Sequence, residues 1–323
     1  MNESESDRLM CKTGDIINEH YRIVDRCNSG TFSNVYECID TLNQKPVILK
    51  ASRSSNYYKR SATKEIQLLQ FLNKIDIEQN LFVSFLGDFD YDGHTCIILE
   101  KFGPTLYDAI ASQGFKPINP SAIRSILYNI CCGLKELHHS GFIHTDLKTE
   151  NIVLPNNFDA KNDFDRPFTS PPQSSSDNDD DCEIGTSYQN NSRNFQINAR
   201  LIDFDSLKQG FKWHRSLATT CEYRAPEILL GLQWGTECDM WSLGCILVEL
   251  ATGTIEFAST NDLEHLLLIQ HMIAPIPEKM LKATTKQEVS ALVCGNLIDP
   301  NCLGSEIKDK ILQKPTLWDL LSF

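Results

Sequence analysis

The segment His144–Asn151 places three side chains with complementary chemistry in one short loop. Asp146 can orient a hydroxyl nucleophile and accept its proton, and Lys148 can neutralise the charge of a phosphate group. Asn151 can hold a Mg²⁺ ion through its amide oxygen. The spacing of the three residues therefore predicts phosphoryl transfer to a hydroxyl group.

Three further residues of suitable type lie in patterns that predict buried elements. Lys50 ends the short apolar run Val47–Lys50, which is typical of a buried strand, and it would reach the α- and β-phosphates of ATP. Glu65 lies among apolar residues at helical spacing and could pair with Lys50. Asp203 ends a second apolar run and would be the second metal ligand. Phosphoryl transfer requires in-line positioning and positive charge more than covalent chemistry, and these residues would supply both.

Two segments after Asp203 complete an order of motifs that resembles the eukaryotic protein kinases. Tyr223–Glu227 reads Y-R-A-P-E, and Asp239–Gly244 begins an apolar helical segment. The resemblance covers nearly all of the chain. It implies an α+β fold of two lobes, a small and mostly β N-lobe and a larger helical C-lobe, with ATP and Mg²⁺ in the cleft between them.

Within that family the chain resembles the LAMMER-type dual-specificity kinases. Thr145 replaces the Arg of the general H-R-D motif and gives H-T-D-L-K. The segment Glu264–Pro277 is similar to the family signature at Glu264, His265, Leu266, Pro275 and Pro277. The resemblance implies phosphorylation of Ser and Thr in Arg/Ser-rich splicing factors, together with autophosphorylation on Tyr.

The resemblance also assigns residues to the nucleotide site. Leu99 would be the gatekeeper, and the backbone groups of Glu100 and Phe102 in the hinge would bond adenine. The expected ATP-binding residues are Asn28, Gly30, Val35, Lys50, Leu99, Glu100, Phe102 and Val153.

The phosphate-binding segments depart from the family pattern in two places. The loop that normally reads G-x-G-x-x-G retains only Gly30, and glycine matters there because the backbone must approach phosphate closely. Asp205 replaces the Gly that follows Asp203-Phe204. Its negative charge near the phosphates should be unfavourable unless the carboxylate is paired or turned to solvent.

Two other departures concern the support of the activation segment, which by the resemblance follows Asp203 and closes at Tyr223–Glu227. Lys314 occupies the position of a family Arg that pairs with Glu227, and a Lys should give a weaker brace because it cannot make a bidentate contact. Thr145 replaces the Arg that docks an activation-loop phosphate in many kinases. We therefore expect activity that does not require phosphorylation of that loop.

The sequence predicts one kinase domain with a tail and an insertion. The predicted parts are a polar tail at 1–15, a kinase domain at 16–323, an N-lobe at 16–100, a hinge at 100–103, a C-lobe at 104–323 and a disordered acidic insertion at 155–198. The insertion has a Ser cluster beside acids, which suits either phosphorylation by an acid-directed kinase or a solvated segment without a role.

Composition and charge limit the classes of binding partner and the cellular compartments that suit this protein. The net charge of −13 in 323 residues favours Arg-rich protein substrates over direct binding of nucleic acid, although an acidic surface also serves solubility. The charged start, residues 1–7, does not resemble a signal peptide, and no apolar run suits a membrane span. Twelve Cys without a C-x-x-C pair indicate a reducing compartment, which suits the nucleus or cytoplasm, the nucleus by resemblance alone. We also expect the protein to be a monomer.

The sequence leaves three functional hypotheses open. The first is an active LAMMER-type kinase acting on Arg/Ser-rich proteins, and the second is a Ser/Thr kinase with other substrates. The third is a pseudokinase that binds partners without turnover, for which the altered glycine loop and Asp205 argue.

Overall fold

The computed structural model has a small lobe built on one six-stranded sheet and a larger helical lobe. This is the two-lobed α+β fold that the sequence predicts. The structure describes residues 7–29, 33–76, 80–165, 197–210, 212–259, 261–290, 293–294, 297–298, 309 and 311–316.

The sheet of the small lobe is antiparallel, with the strand order β1-β2-β3-β4-β6-β5. Its strands are β1 (Ile16–Ile17), β2 (Tyr21–Ser29), β3 (Ser33–Asp40), β4 (Lys45–Ser52), β5 (Phe85–Tyr91) and β6 (His94–Glu100). Side chains alternate between the two faces of a strand, and β3 buries Tyr36 and Cys38 on one face accordingly. These two residues pack with Leu49 and Ile98 in the core of the lobe.

Helix α1 (Asn56–Ile75) crosses this sheet and places one acid on its buried face. Its apolar residues recur at the helical spacing expected of an amphipathic helix, and Ile66, Leu69 and Leu72 are buried. Glu65 shares that face and is 6% exposed. A buried carboxylate needs a cationic or hydrogen-bonding partner, so the helix directs Glu65 toward the sheet for a specific contact.

Part of the segment predicted as a polar tail packs on the small lobe. Leu9 is buried, and its carbonyl oxygen accepts hydrogen bonds from Tyr36 Oη at 2.7 Å and from Asn34 Nδ2 at 2.9 Å. Asp7 Oδ1 accepts a bond from Arg53 Nε at 2.9 Å. Leu9 and Asp7, which lie in the predicted tail at 1–15, therefore contact the small lobe.

The large lobe is built from helices around a continuous apolar core. Its helices are α2 (Leu106–Ser112), α3 (Pro120–His139), α4 (Ala160–Asp163), α5 (Pro226–Leu229), α6 (Glu237–Thr252), α7 (Asp262–Met272), α8 (Glu278–Ala283) and α9 (Gln287–Ser290). Asn119 caps α3 by accepting a bond from the Ser121 amide at 2.9 Å, and Pro120 suits the first helical position. Helix α6 is capped at its C-terminus by Gly253 with φ 77°, where a Cβ atom would lie 2.0 Å from the Phe115 carbonyl oxygen, so only glycine fits.

Four two-residue strands bring the two functional loops together. Strand β7 (Phe142–Ile143) precedes the catalytic loop, His144–Asn151, and β8 (Ile152–Val153) follows it. Strands β9 (Arg200–Leu201) and β10 (Lys208–Gln209) flank the segment that contains Asp203 and Asp205 in the same way. Since β8 pairs with β9 and β7 pairs with β10, the two loops lie side by side.

A last pair, β11 (Val293–Cys294) and β12 (Leu297–Ile298), is antiparallel. The ends of the predicted insertion pack on the large lobe, where Phe164 and Ile197 are buried and the Ile197 amide donates to Ser125 Oγ at 2.7 Å. Residues 166–196, the rest of that prediction, lie outside the described residues. Within the described ranges, no helix combines the length and apolar character that a membrane span requires.

Helix α7 buries a histidine whose ring finds no hydrogen-bond partner among the described residues. His265 is fully buried and stacks on Phe257, with ring centroids 5.8 Å apart, and neither ring nitrogen is bonded among the described residues. Burial, assisted by the charge of Arg224, lowers the pKa of His265 from 6.5 to about 4, against the opposing charges of Asp262 and Glu264. The folded protein therefore keeps this ring neutral in weak acid.

We expect His265 to make the fold sensitive to acid between pH 6.5 and pH 4. Above pH 6.5 the His265 ring is neutral in both the folded and the unfolded protein. Between pH 6.5 and pH 4 the ring is protonated in the unfolded chain but stays neutral in the folded protein. The free energy of unfolding should therefore fall by about 3 kcal/mol across this range, because one pKa unit corresponds to about 1.4 kcal/mol. The variant His265→Phe should lose this part of the pH dependence when the free energy of unfolding is measured across the range.

The control is His139→Asn, since His139 is exposed at the end of α3 and should leave the slope unchanged. Parallel pH profiles for the His265→Phe variant and the unaltered protein would contradict the assignment.

Candidate active site

Lys50 and Glu65 form a buried ion pair between the sheet and α1. Lys50 Nζ lies 2.7 Å from Glu65 Oε1, and the two residues are 8% and 6% exposed. Strand β4 supplies the lysine, and the buried face of α1 supplies the acid. This is the contact that the sequence predicts for these two residues.

Two carboxylates of the segment after β9 also contact Lys50. Its Nζ lies 3.2 Å from Asp203 Oδ1 and 2.8 Å from Asp205 Oδ2. The side chain of Asp203 is 41% exposed, whereas that of Asp205 is only 11% exposed. Of the two possibilities that the sequence left for Asp205, paired or turned to solvent, the structure has the paired one.

Charge is unbalanced in this cluster. Burial alone would lower the pKa of Lys50, but Asp205, Glu65 and Asp203 together raise it well above its ordinary value. Burial raises the pKa of Glu65, whereas the ammonium of Lys50 and hydrogen bonds lower the pKa of Asp205 despite its burial. One ammonium faces three carboxyl groups, so the cluster contains more acidic groups than Lys50 alone can pair with.

The donor atoms fit a divalent metal ion. Carboxylate oxygens of Glu65, Asp203 and Asp205 all lie within 4.8 Å of one another. Hard divalent cations such as Mg²⁺ prefer oxygen ligands of this kind. Asn151 is 5% exposed, and its amide nitrogen donates to the Asp146 carbonyl at 2.8 Å, which leaves the amide oxygen available as a ligand.

Asp146 and Lys148 meet through a threonine that the sequence analysis missed. Asp146 Oδ2 lies 3.0 Å from Lys148 Nζ, and Thr220 Oγ1 donates to Asp146 Oδ1 at 2.6 Å. Lys148 Nζ in turn donates to Thr220 Oγ1 at 3.0 Å. Although burial opposes it, these hydrogen bonds and the lysine charge lower the pKa of Asp146, so its carboxylate is ionised at neutral pH. An ionised carboxylate in this position can accept the proton of a hydroxyl nucleophile.

A buried acid of α6 holds the catalytic loop in shape. Asp239 is fully buried and accepts bonds from the amides of His144 and Thr145 at 2.8 and 2.9 Å, and it contacts His138 Nε2 at 2.8 Å. Thr145 has φ 66°, a conformation that residues other than glycine rarely adopt. Its hydroxyl donates to the Ser206 carbonyl at 2.7 Å and so joins the catalytic loop to the activation segment.

The adenine side of the site is braced by an arginine that the sequence analysis also missed. Arg200 Nη1 donates to Glu100 Oε2 at 2.7 Å, and its guanidinium lies 4.3 Å from the centre of the Phe102 ring. The next hinge residue, Gly103, packs so tightly that a Cβ atom would lie 2.2 Å from the Pro155 carbonyl oxygen. Arg200 thus fixes both hinge residues whose backbone groups are expected to meet adenine.

Sheet register places the other expected nucleotide residues. Asn28 pairs with Val35 across β2 and β3, and Val35 pairs with Lys50 across β3 and β4. Leu99 is half-buried near the end of β6, and Val153 is buried on β8. Gly30 lies outside the described residues.

The predicted brace between Lys314 and Glu227 is wrong. Lys314 Nζ lies 3.3 Å from Glu256 Oε2 and also donates to the Glu256 carbonyl. Among the described residues Glu227 has no cationic partner, and burial together with the charge of Glu237 raises its pKa. The lysine therefore stabilises the turn after α6 instead of the activation segment.

Comparison with known proteins agrees with this geometry. The family model of the protein kinase domain matches residues 21–309. The dual specificity protein kinase CLK4 of Homo sapiens is 34% identical over 289 residues, which cover 88% of this chain and 56% of CLK4. The serine/threonine-protein kinase AFC2 of Arabidopsis thaliana is 32% identical over 322 residues, which cover 99% of this chain and 72% of AFC2.

A third relative, the serine/threonine-protein kinase AFC1 of Arabidopsis thaliana, is 35% identical over 85% of this chain and 56% of AFC1. The chain thus spans little more than half the length of CLK4 and AFC1. A crystal structure of a kinase domain superposes with a TM-score of 0.80 and 30% identity, covering 99% of this chain and 91% of the other. The predicted resemblance to LAMMER-type kinases is confirmed, and the chain belongs to the protein kinase family.

Proposed function

We propose that the protein is an active protein kinase that transfers the γ-phosphoryl group of ATP to Ser and Thr hydroxyl groups of protein substrates. The observation that carries the proposal is the contact of ionised Asp146 with both Lys148 and Thr220. This contact requires the catalytic loop and the end of the activation segment to meet. It leaves a proton acceptor and a positive charge side by side, which phosphoryl transfer needs.

Each residue then has a distinct task. Asp146 orients the substrate hydroxyl and accepts its proton, while Lys148 stabilises negative charge on the transferred group. Lys50 positions the α- and β-phosphates, and Asn151 and Asp203 would hold Mg²⁺. Bound Mg²⁺ supplies charge neutralisation at the phosphate oxygens.

For the substrate we propose Arg/Ser-rich proteins, bound by a monomer in the nucleus or cytoplasm. The net charge of −13 supports this choice, since an acidic enzyme attracts Arg-rich chains and repels nucleic acid. The similar protein CLK4 is named a dual specificity kinase, which supports additional transfer to Tyr. A pseudokinase that binds partners is the second candidate, favoured by the bond between Asp205 and Lys50.

A transfer assay separates these possibilities. Purified protein should transfer label from ATP and Mg²⁺ to an Arg/Ser-repeat peptide, and the variant Asp146→Asn should lower kcat on the order of 10²-fold or more, because it removes the proton acceptor. A matched peptide with Arg replaced by Gln should be a poorer substrate. Equal rates on both peptides would contradict the substrate proposal, and binding of ATP without transfer to any peptide would favour the pseudokinase.

Thr220 should act through Asp146. The variant Thr220→Ala removes one bond to the carboxylate and one to Lys148, so kcat should fall about tenfold or more while KM for ATP changes little. Thr220→Ser retains the hydroxyl and should restore most of the rate. The control is Thr219→Ala, since the Thr219 hydroxyl donates to the Ala218 carbonyl. A KM effect without a kcat effect would be inconsistent with this role.

Thr145 should free the enzyme from control by activation-loop phosphorylation. Its short hydroxyl bonds the Ser206 carbonyl, whereas a long cationic side chain would be needed to reach a phosphate on the loop. Treatment with phosphatase should therefore change the initial rate by less than about twofold, with complete removal of phosphate verified by mass spectrometry. A large loss of rate that returns on incubation with ATP would overturn this expectation.

A further inference from the structure

The carboxylate of Asp205 accepts a hydrogen bond from Lys50 Nζ. A nucleotide phosphate would need an N–H donor of the same ammonium group. An ammonium group has three N–H donors and no acceptor. In this structure Glu65, Asp203 and Asp205 lie at 2.7, 3.2 and 2.8 Å from Lys50 Nζ. All three donors are therefore taken, and a phosphate oxygen must replace one of the carboxylates.

Asp205 is held in place by its neighbours. Phe204 is 3% exposed and packs edge-on against Phe82 and His144, each with ring centroids 5.8 Å apart. This anchored residue lies between Asp203 and Asp205, and both flanking acids reach Lys50. The contact of Asp205 with Lys50 thus follows from how the Phe204 ring is packed and is not an accident of an exposed side chain.

The three carboxylates differ in how readily they can yield to phosphate. Glu65 is fixed on the buried face of α1, and its departure would leave a buried acid without its cation. Asp203 is needed as a metal ligand under the proposed function. Asp205 is the remaining partner, and the glycine found at this position in the family pattern offers no carboxylate at all.

We propose that Asp205 is a specificity-determining residue that competes with nucleotide phosphates for Lys50 and makes the site select metal-bound over metal-free ATP. Metal-free ATP would bring further negative charge next to an ionised acid that already holds the lysine. A divalent cation held by Asp203 gives Asp205 an alternative partner, since the oxygens of both residues lie within 4.8 Å. Lys50 is then released to the phosphates. This inference rests on the proposed nucleotide site and adds the selection of its ligand.

The test measures binding of ATP by calorimetry, once with Mg²⁺ and once with EDTA. The variants are Asp205→Asn, which keeps the shape and removes the charge, and Asp205→Gly, which removes the side chain. Both should bind metal-free ATP about tenfold or more tightly than the unaltered protein, because a repulsive charge is gone. With Mg²⁺ present the gain in ATP affinity should be clearly smaller. The dissociation constant for metal-free ATP, divided by that for Mg²⁺-ATP, should therefore be lower in both variants than in the unaltered protein.

The matched control is Glu278→Gln, which removes one negative charge from an exposed pair with Lys282 on α8 and should leave both constants unchanged. Thermal melting confirms that each variant is folded, and agreement between the Asn and Gly variants separates the charge effect from local repacking. Unchanged metal-free binding in both variants would overturn the proposal, as would a large loss of Mg²⁺-ATP binding, which would make Asp205 an essential metal ligand.

Measurements of ATP binding and of phosphate transfer distinguish a wrong role for Asp205 from a wrong catalytic function. If the protein binds ATP as expected but phosphorylates no substrate, the proposed catalytic function is wrong and the role of Asp205 stands. If the protein transfers phosphate but the ratio of constants is unaffected by Asp205→Asn, the function stands and the competition is wrong.

Discussion

The ammonium group of Lys50 is the contact on which the rest of the site depends. It joins strand β4 and helix α1 of the small lobe to the segment after β9 of the large lobe through Glu65, Asp203 and Asp205. Loss of one partner from a buried pair costs about 3–5 kcal/mol, because the remaining charge is left without compensation. One side chain therefore fixes the position of α1, the placement of the metal-binding carboxylates and the relation between the two lobes.

A second buried acid, Asp239 on α6, organises the large lobe in the same way. Asp239 is fully enclosed and bonds the backbone of the catalytic loop at His144 and Thr145. These bonds offset the unfavourable φ of Thr145, since a strained residue persists only where its surroundings fix it. Tyr223 Oη donates to Glu249 Oε2 at 2.7 Å. Because Glu249 lies on α6, as Asp239 does, this bond joins the end of the activation segment to α6. Helix α6 thus serves as the platform from which both loops are positioned.

The sequence predicted residue types and local elements better than long-range pairing. The pair of Lys50 and Glu65 could be predicted because a lysine at a strand end and an acid on an apolar helical face each have few alternative partners. The bond of Asp205 to Lys50 joins residues 155 positions apart, and no local pattern indicates such a contact. Lys314 was wrongly assigned to Glu227 because position in a motif does not determine which acid a flexible side chain reaches. Thr220 and Arg200 were missed because isolated residues outside a motif give no signal until the chain is folded.

The buried contacts of Lys50 and the hydrogen bonds of Asp146 together indicate how such a site can be controlled. Helix α1 is held against the sheet by the buried pair of Glu65 and Lys50. The carboxylate of Asp146 is likewise held by Thr220 and Lys148. What the site lacks is charge balance, since three carboxylates surround one ammonium. Control by movement of α1 would have to break a buried ion pair, whereas control by cation and nucleotide only exchanges partners within the cluster. Exchange of partners within the cluster leaves the pair of Lys50 and Glu65 intact, so the position of α1 does not have to change.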